Sequence, residues 1–443
     1  VIGGGLAGVE AAHLLAHRGI HVDLFEMRPD KSTPAHNTSL LGELVCSNSL
    51  KGTDPATAHG LLKKEMTLLD SLVIAAAGET SVPAGTALAV DRDAFSEAIT
   101  RHIQSHDLIA LHRSEIGEID PKVPTIIATG PLTSEKLALS LAGITGSERL
   151  YFYDAISPII DAASIDLTNA FFGSRWDPDS TDYLNCPLDE ELYHTFITEL
   201  LKADQLNPRS FEDAKFFDAC LPIEVIALRG RDSLRFGPMR PVGFIDPHTG
   251  RRPYALIQLR RENLKGDAYN LVGFQTRLTY PEQKRIFRMI PALAGATFER
   301  FGSIHRNTFF DSPRVLNKDL SINGLPNTFL AGQITGVEGY MESAATGILA
   351  ALSVLAKISG EDFYPPGADT AIGALVHYIT DETNTKFQPT NINFGIMESP
   401  DVPKKIRKQV RLERASSSFA QWMNALEVLV QKQASDAGHK NPE

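Results

Sequence analysis

"VIGGGLAGVEAAHLLAHRG", Val1 to Gly19, reads as the end of a β-strand, a glycine turn and a helix. Leu6, Val9, Leu14 and Leu15 are spaced for a helix, and Gly19 is a suitable C-terminal stop. "IHVDLFE" follows as a second strand ending in Glu26, 18 positions beyond Gly8. Gly3, Gly5 and Gly8 form G-x-G-x-x-G. In such a unit the first glycine permits the tight turn and the second lets the backbone approach a pyrophosphate. The third lets helix and strand pack closely, and the acid accepts hydrogen bonds from a ribose. The helix N-terminal amides favour the phosphate charge. The order strand, turn, helix, strand, acid therefore predicts a dinucleotide site. Val1 falls near a strand end, so a few further strand residues are expected to precede it.

Two distant segments extend this unit and favour FAD over NAD. "TIIATG", Thr125 to Gly130, is an apolar strand ending in a small-residue turn. "TFLAGQITGVEGYMESAATGILAALSVL" begins as a strand, turns at Gly332 and Gly336, and enters a long helix near Glu342. It looks like the closing segment of flavoproteins, whose helix N-terminus can face the flavin pyrimidine edge, where negative charge builds on reduction. The expected class is α/β: an FAD-binding Rossmann-like domain, discontinuous in sequence, with a mixed α/β insertion. Residues 1–150 are read as its first part, 151–300 as the insertion and 301–360 as the closing segment. Residues 361–443, after "EDFYPPGAD", read as mainly helical, with a frayed end at "ASDAGHKNPE".

The chain has 443 residues, enough for two or three domains. No apolar run is read as reaching the ~20 residues of a membrane span, and no basic-then-apolar leader opens the chain. Three cysteines, Cys46, Cys186 and Cys220, with no CxxC pair, argue for a reducing compartment and against structural zinc. A cytoplasmic location is therefore expected. With no HExxH motif or paired-histidine spacing recognised, no catalytic metal is expected. A net charge of −11 by itself counts against a nucleic-acid partner. Cations nonetheless gather at Arg251 and Arg252, at Arg260 and Arg261, and at Lys284, Arg285 and Arg288. A further run holds Lys404, Lys405, Arg407, Lys408, Arg411 and Arg414. Such runs are usually solvated faces, but a segregated positive surface can bind phosphate.

Among groups able to do chemistry, Cys46 in "ELVCSNSLKG" stands beside Ser47, Asn48 and Ser49, which suit a loop near a cofactor better than a packed core. Cys220 lies between Asp218 and Glu224, which disfavour a thiolate unless Arg229 or Arg231 compensates, so its neighbours favour a structural role. Cys186 in "YLNCPLDEE" also reads as structural. His305, Arg306 and Asn307 stand together before an apolar pair, as at a ligand-facing edge.

Together these motifs resemble the bacterial folate- and FAD-dependent tRNA (uracil-5-)-methyltransferases over essentially the whole length. "GGGLAGVEAA", "LFEMRP", "TPAH", "ELVCSNSLKG" and "VPAGTALAVDR" carry the resemblance in the first part. "ATGPLTSE", "DYLNCPL", "FGPMRPVG", "LVGFQT", "HRNTF" and "GVEGYMESAATG" carry it in the rest. "VCSNS" beside "FEMRP" is far more specific than the glycine fingerprint. Longer flavoproteins that modify wobble uridine are related and carry an extra helical domain.

The resemblance implies methylation of carbon-5 of the T-loop uridine in tRNA. Methylenetetrahydrofolate would be the one-carbon donor, and reduced FAD, replenished by NADPH or NADH, the reductant and methylene carrier. Matched by motif, Cys220 is the nucleophile that adds to uracil carbon-6, reversing the ranking from its neighbours. Cys46 is the proposed base or a flavin-pocket thiol, and Cys186 has no assigned role. Candidate cofactor residues are Gly3, Gly5, Gly8, Glu26, Arg28, Ser47, Asn48, Arg92, Gly130, Gly332, Gly339, Tyr340 and Glu342. His305, Arg306 and Asn307 are candidates for the folate side. For tRNA phosphates the candidates are Arg251, Arg252, Lys284, Arg285, Lys404, Lys405, Arg407 and Lys408. The competing readings are a flavin oxidoreductase or a wobble-uridine modifier without folate, and a tRNA-binding scaffold that merely keeps the flavin fold.

Overall fold

The computed structural model describes residues 1–33, 35–146, 150–206 and 221–438, without the side chains of 151–153, 305–306 and 427–438. Cys220 therefore lies outside the described residues, as do the side chains of His305 and Arg306 and the last residues of the expected frayed end.

A parallel sheet organises the chain. Strand β1 (Val22–Glu26) pairs with β2 (Ile109–Arg113) from Val22 opposite Ile109 to Glu26 opposite Arg113. Ile2 bridges in parallel to Phe25 on one side and to Ile127 of β3 (Thr125–Ile127) on the other. Strand β4 (Leu325–Leu330) then pairs in parallel with β3, so a strand about 200 residues later closes the sheet. The spatial order is β2, β1, the Val1–Gly3 segment, β3, β4.

Helix α1 (Leu6–His17) is buried from Leu6 to Ala16, including the polar Glu10 and His13. A helix buried on every face needs small side chains where neighbours approach. A Cβ on Gly8 would lie 1.8 Å from the Gly3 carbonyl oxygen, and one on Gly347 only 2.1 Å from that of Ala7. Glu10 ties α1 to helix α3 (Leu72–Glu79), accepting hydrogen bonds from the Ser71 hydroxyl and, at 3.1 and 3.0 Å, from the Leu72 and Val73 N–H groups. Helix α2 (Ala58–Leu68) supplies Glu65, which accepts from Ala371 N–H at 2.8 Å and Ile372 N–H at 2.7 Å. In both cases a buried carboxyl group, which burial pushes up to about 7 in Glu10 and about 8 in Glu65, satisfies free amides at a helix start.

Helix α4 (Arg92–Gln104) lies behind β2. Its His102, with His106 just beyond the helix end, and His13 with His17 on α1 are spaced i, i+4. This paired spacing corrects the reading of the histidines made above: the two pairs belong to separate segments, and only the packing of α1 against α4 brings them together.

Helix α5 (Tyr340–Ile358) packs against α1 and carries the second correction. By length and composition it could cross a membrane, with a mean hydropathy of 1.4, yet 83% of that window is buried inside the protein. Its apolar composition serves the core between the sheet and helix α6 (Ala371–Ile379). At its first turn the fully buried Glu342 accepts from Ile392 N–H at 3.1 Å. It also meets Lys51 Nζ at 3.4 Å and His59 Nδ1 at 3.6 Å. Lys51 is held at φ +65°, a strained conformation for a side-chain-bearing residue.

A second layer has its own apolar core. Six antiparallel strands run in the order Phe298–Arg300, Ile159–Asp161, Ala268–Leu271, Ala255–Arg261, Tyr183–Leu188, Phe171–Phe172. Cys186 is fully buried there, and burial pushes its thiol up to about 12. The strands Leu150–Ala155 and Ile304–Phe309 pair antiparallel beside the two layers. Helix α7 (Lys404–Gly438) returns to the first core through Ala415, Phe419 and Leu426.

Gly347→Ala is expected to destabilise the protein by about 1–3 kcal/mol, because the added methyl meets backbone rather than a movable side chain; a lower urea midpoint checks this. Burial opposes ionisation of Glu342, but Lys51 and His59 outweigh it and bring its carboxyl down to about 2. A carboxyl depressed from an ordinary ~4.3 adds stability above that pH and loses it as pH falls through the folded value. Glu342→Gln is therefore expected to cost about 3 kcal/mol at pH 7. The gap to the parent should shrink steadily in melts repeated toward pH 3; a gap independent of pH would refute the ion-pair account.

Candidate functional site

The glycine turn, β1, the β3 turn and the start of α5 enclose a solvent-open cleft of about 1000 Å³. Its lining includes Gly3, Gly4, Gly5, Glu26, Arg28, Thr129, Gly130, Gly332, Gln333 and Tyr340. Gly3 turns at φ +106°, and a Cβ there would strike Ala128 at 2.6 Å. Gly5 differs: nothing lies within 4 Å of where its Cβ would stand. That open backbone, at the N-terminus of α1, is where an anionic group can approach the amides closely.

Glu26 and Arg28 form the polar wall. Glu26 accepts from Gly4 N–H at 2.9 Å, Arg28 N–H at 3.0 Å and Arg28 Nε at 2.9 Å. Burial opposes its ionisation, but these bonds and the guanidinium charge hold it below the ordinary carboxylate range. Arg28 also donates to Glu43 Oε2 at 2.9 Å. Both Glu26 oxygens thus have protein partners, and a ribose would use their remaining lone pairs.

The Cys46 loop hangs beside this cleft. Cys46 N–H donates to the Tyr340 hydroxyl at 2.8 Å, so a residue lining the cleft also anchors the thiol-bearing loop. Cys46 is half-buried, with its Sγ 3.9 Å from the Ala155 carbonyl oxygen. Three guanidiniums reach the loop. Arg92 donates to the Leu44 carbonyl, and to that of Cys46 at 3.4 Å, while paired with Glu262. Arg300 donates to the Val45 carbonyl at 2.7 Å. Arg260 donates to Ser47 Oγ at 2.9 Å and Asn48 Oδ1 at 3.0 Å. Their combined field favours negative charge developing beside the loop.

Ser47, Asn48 and Arg92 thus hold the loop, and none of them lines the cleft. Asn48 is fully buried, and its amide donates to the Val90 and Arg261 carbonyls, each at 3.0 Å. Gly339 lies at φ +119° under the Glu342 carboxylate. Asn307 is buried and donates to Asp154 Oδ2 at 3.1 Å. Past the cleft, burial and the nearby Asp154 push Glu338 well above the ordinary carboxyl range, although Gln333 Nε2 donates to it at 2.6 Å. Lys51, Arg260, Arg300 and Glu338 are the residues that sequence reasoning missed at this site. Glu338 and Lys51 stand in the quoted "GVEGYMES" and "ELVCSNSLKG" and Arg260 in a noted cation pair, but none was assigned to the site, and Arg300 is a single cation in an ordinary strand.

The basic candidates are spread over three surfaces. Arg251 and Arg252 are exposed at a turn. Arg285 pairs with Glu199 at 2.6 Å and Glu282 at 2.7 Å, while Lys284 lies 5.5 Å from the Phe301 ring. Lys404, Lys405, Arg407 and Lys408 are exposed at the start of α7, with no acid in its first turn. The helix dipole disfavours cations there, so this cluster concentrates positive potential at a helix N-terminus.

The family model described as glucose inhibited division protein A matches residues 1–362. The methylenetetrahydrofolate–tRNA-(uracil-5-)-methyltransferase TrmFO of Desulfotalea psychrophila is 52% identical over 426 residues, covering 95% of this chain and 96% of the relative. The same-named protein of Syntrophus aciditrophicus is 52% identical over 429 residues, covering 96% and 97%. Among solved structures, Aquifex aeolicus GidA superposes with a TM-score of 0.71 at 16% identity, covering 98% of this chain and 75% of that one. That likeness establishes a shared α/β fold. With half of its residues identical to these relatives over nearly their whole length, the chain belongs to the methylenetetrahydrofolate–tRNA-(uracil-5-)-methyltransferase (TrmFO) family.

Proposed function

We propose that this chain methylates carbon-5 of the T-loop uridine in tRNA, using methylenetetrahydrofolate, FAD, and NADPH or NADH. The observation that carries the reading is the Tyr340 hydrogen bond, which fastens the Cys46 loop to the cleft formed by the glycine turn. Residues 1–150 and 301–360 form the discontinuous FAD-binding domain, with 151–300 inserted and 361–443 appended; the parallel pairing of β3 with β4 supports this division. Gly3, Gly5 and Gly8 let the backbone meet the pyrophosphate, Glu26 and Arg28 take the adenosine side, and Gly130, Gly332 and Tyr340 border the remainder. The open space over Gly5 fits such a group. When bound, reduced FAD supplies the two electrons that bring the folate's methylene to the methyl level.

The protein's own groups act on the uracil. The Cys220 thiolate adds at carbon-6, which makes carbon-5 nucleophilic enough to bond to the one-carbon unit as that carbon's bond to its donor nitrogen breaks. A base then takes the carbon-5 proton, and the carbon–sulfur bond breaks to release the thiolate. Cys46 is the proposed base or a pocket thiol. Arg92, Arg260 and Arg300 set a positive field beside the loop that favours the enolate. His305, Arg306 and Asn307 are assigned to the folate side. The uracil must leave its stack to reach the cleft. The cationic start of α7 is the best-supported tRNA contact, with Arg251, Arg252 and Lys284 secondary and Arg285 weakened by its two carboxylates.

Incubation with unmodified tRNA transcript, labelled methylenetetrahydrofolate and NADPH is expected to place label on carbon-5 of a T-loop uridine. Cys220→Ala should abolish that incorporation while retaining yellow flavin; a fully active variant would remove the nucleophile assignment. Gly5→Ala should change stability by less than about 0.5 kcal/mol, because its methyl meets nothing. FAD content should nonetheless fall several-fold, because that methyl occupies the pyrophosphate approach. Unchanged flavin occupancy on purification would count against the placement.

A further inference from the structure

His13, His17, His102 and His106 form a cluster at the far end of α1 from the glycine turn, about 18 Å away by the 1.5 Å helical rise. Ring centroids are 4.1 Å apart for His13 and His17, 4.8 Å for His13 and His102, and 5.3 Å for His17 and His106. The available nitrogens of His13, His17 and His102 lie within 4.8 Å of one another. His13 Nδ1 and His102 Nε2 are only 2.9 Å apart. None of these residues lines the cleft described above.

We propose that His13, His17 and His102 form a site for a divalent transition-metal ion, zinc or a metal of similar imidazole preference, that fastens the C-terminal end of α1 to that of α4. Four observations carry it. The nitrogen separations, from 2.9 Å to at most 4.8 Å, bracket the ~3.4 Å implied by tetrahedral bonds of about 2.0–2.1 Å. His13 Nε2–H donates to the Asp70 carbonyl at 3.1 Å, which leaves Nδ1 bare and aimed at His102. An outer hydrogen bond that orients a ring and selects its tautomer is the usual support of a metal-binding histidine. The ion would take the place of the hydrogen now shared between His13 and His102.

The third observation is the backbone field. His17 occupies the last turn of α1 and His102 that of α4, while α2 ends at Leu68, just before Asp70. Three helix C-termini, each with partial negative charge, converge where the cation would sit. The fourth is access. His17 is exposed and His102 half-exposed, and both line a surface cleft with His13, Asp70 and Glu79. Glu79, His106 or water can complete the coordination. No carboxylate other than Glu79 and Asp70 lines that cleft, so imidazole nitrogen dominates the donor set and selects zinc, nickel or copper over magnesium or calcium.

The test uses tag-free full-length protein stripped with chelator, titrated with Co²⁺ and then with Zn²⁺. One Co²⁺ per chain is expected, with visible absorption of tetrahedral type that Zn²⁺ displaces, together with a higher melting temperature in Zn²⁺. His17→Gln/His102→Gln should lower the affinity at least tenfold and abolish that melting shift. Its metal-free melting temperature should fall by no more than a few degrees, through loss of the His102 hydrogen bond to the buried His13. Cys46→Ser should bind as the parent does. Sub-stoichiometric Co²⁺, unchanged affinity in the double variant, or loss of binding in Cys46→Ser instead would each overturn the proposal.

Discussion

The structure depends on how closely α1 can approach the backbone around it. At Gly8 the helix touches the turn that produced it, and at Ala7 it is crossed by Gly347 of α5. Both contacts are backbone against backbone, with no room for one methyl group. Because α1 lies that deep, its N-terminal amides open directly into the cleft between β1, β3 and α5. The same depth buries Glu10 and His13, which become polar ties to α3 and, through His102, to α4.

Charge placement follows from that packing. Buried acids in this fold are neutralised in different ways. Glu26 is held ionised by Arg28, and Glu342 by Lys51 and His59, whereas Glu338, beside Asp154, is pushed toward its protonated form. The cleft thus has the Glu26–Arg28 ion pair in its wall, and behind that wall Gln333 holds the carboxyl of Glu338. The guanidiniums of Arg92, Arg260 and Arg300 extend the same logic to the Cys46 loop. They arrive from three separate elements and bind its carbonyls and hydroxyl, so the loop is positioned by the second layer as much as by the first.

Much of this was legible beforehand. The helix beginning at Leu6, the strand ending at Glu26, the strand at Thr125 and the long helix near Glu342 all follow from local signals: glycine where the chain turns, apolar periodicity where it is buried. The roles of Ser47, Asn48 and Arg92 were harder to read. Polar residues beside a thiol suggested cofactor contact, yet Asn48 spends its amide on Val90 and Arg261, and Arg92 pairs with Glu262. Partners such as Arg261 for Asn48 and Glu262 for Arg92, 213 and 170 residues away, leave no trace in a side chain's own neighbourhood.

The sequence by itself determined the strand–turn–helix–strand unit and, through its specific motifs, the family, because a glycine turn, a helix stop and an acid at fixed spacing are constraints between near neighbours. Tertiary structure alone decided which far-separated groups meet. Tyr340 comes to Cys46, Arg300 to Val45, and His102 of α4 to His13 of α1, across separations of 89 to 294 residues. Those meetings are set by how helices and sheets bury their apolar faces, and burial is a property of the assembled core rather than of any local stretch.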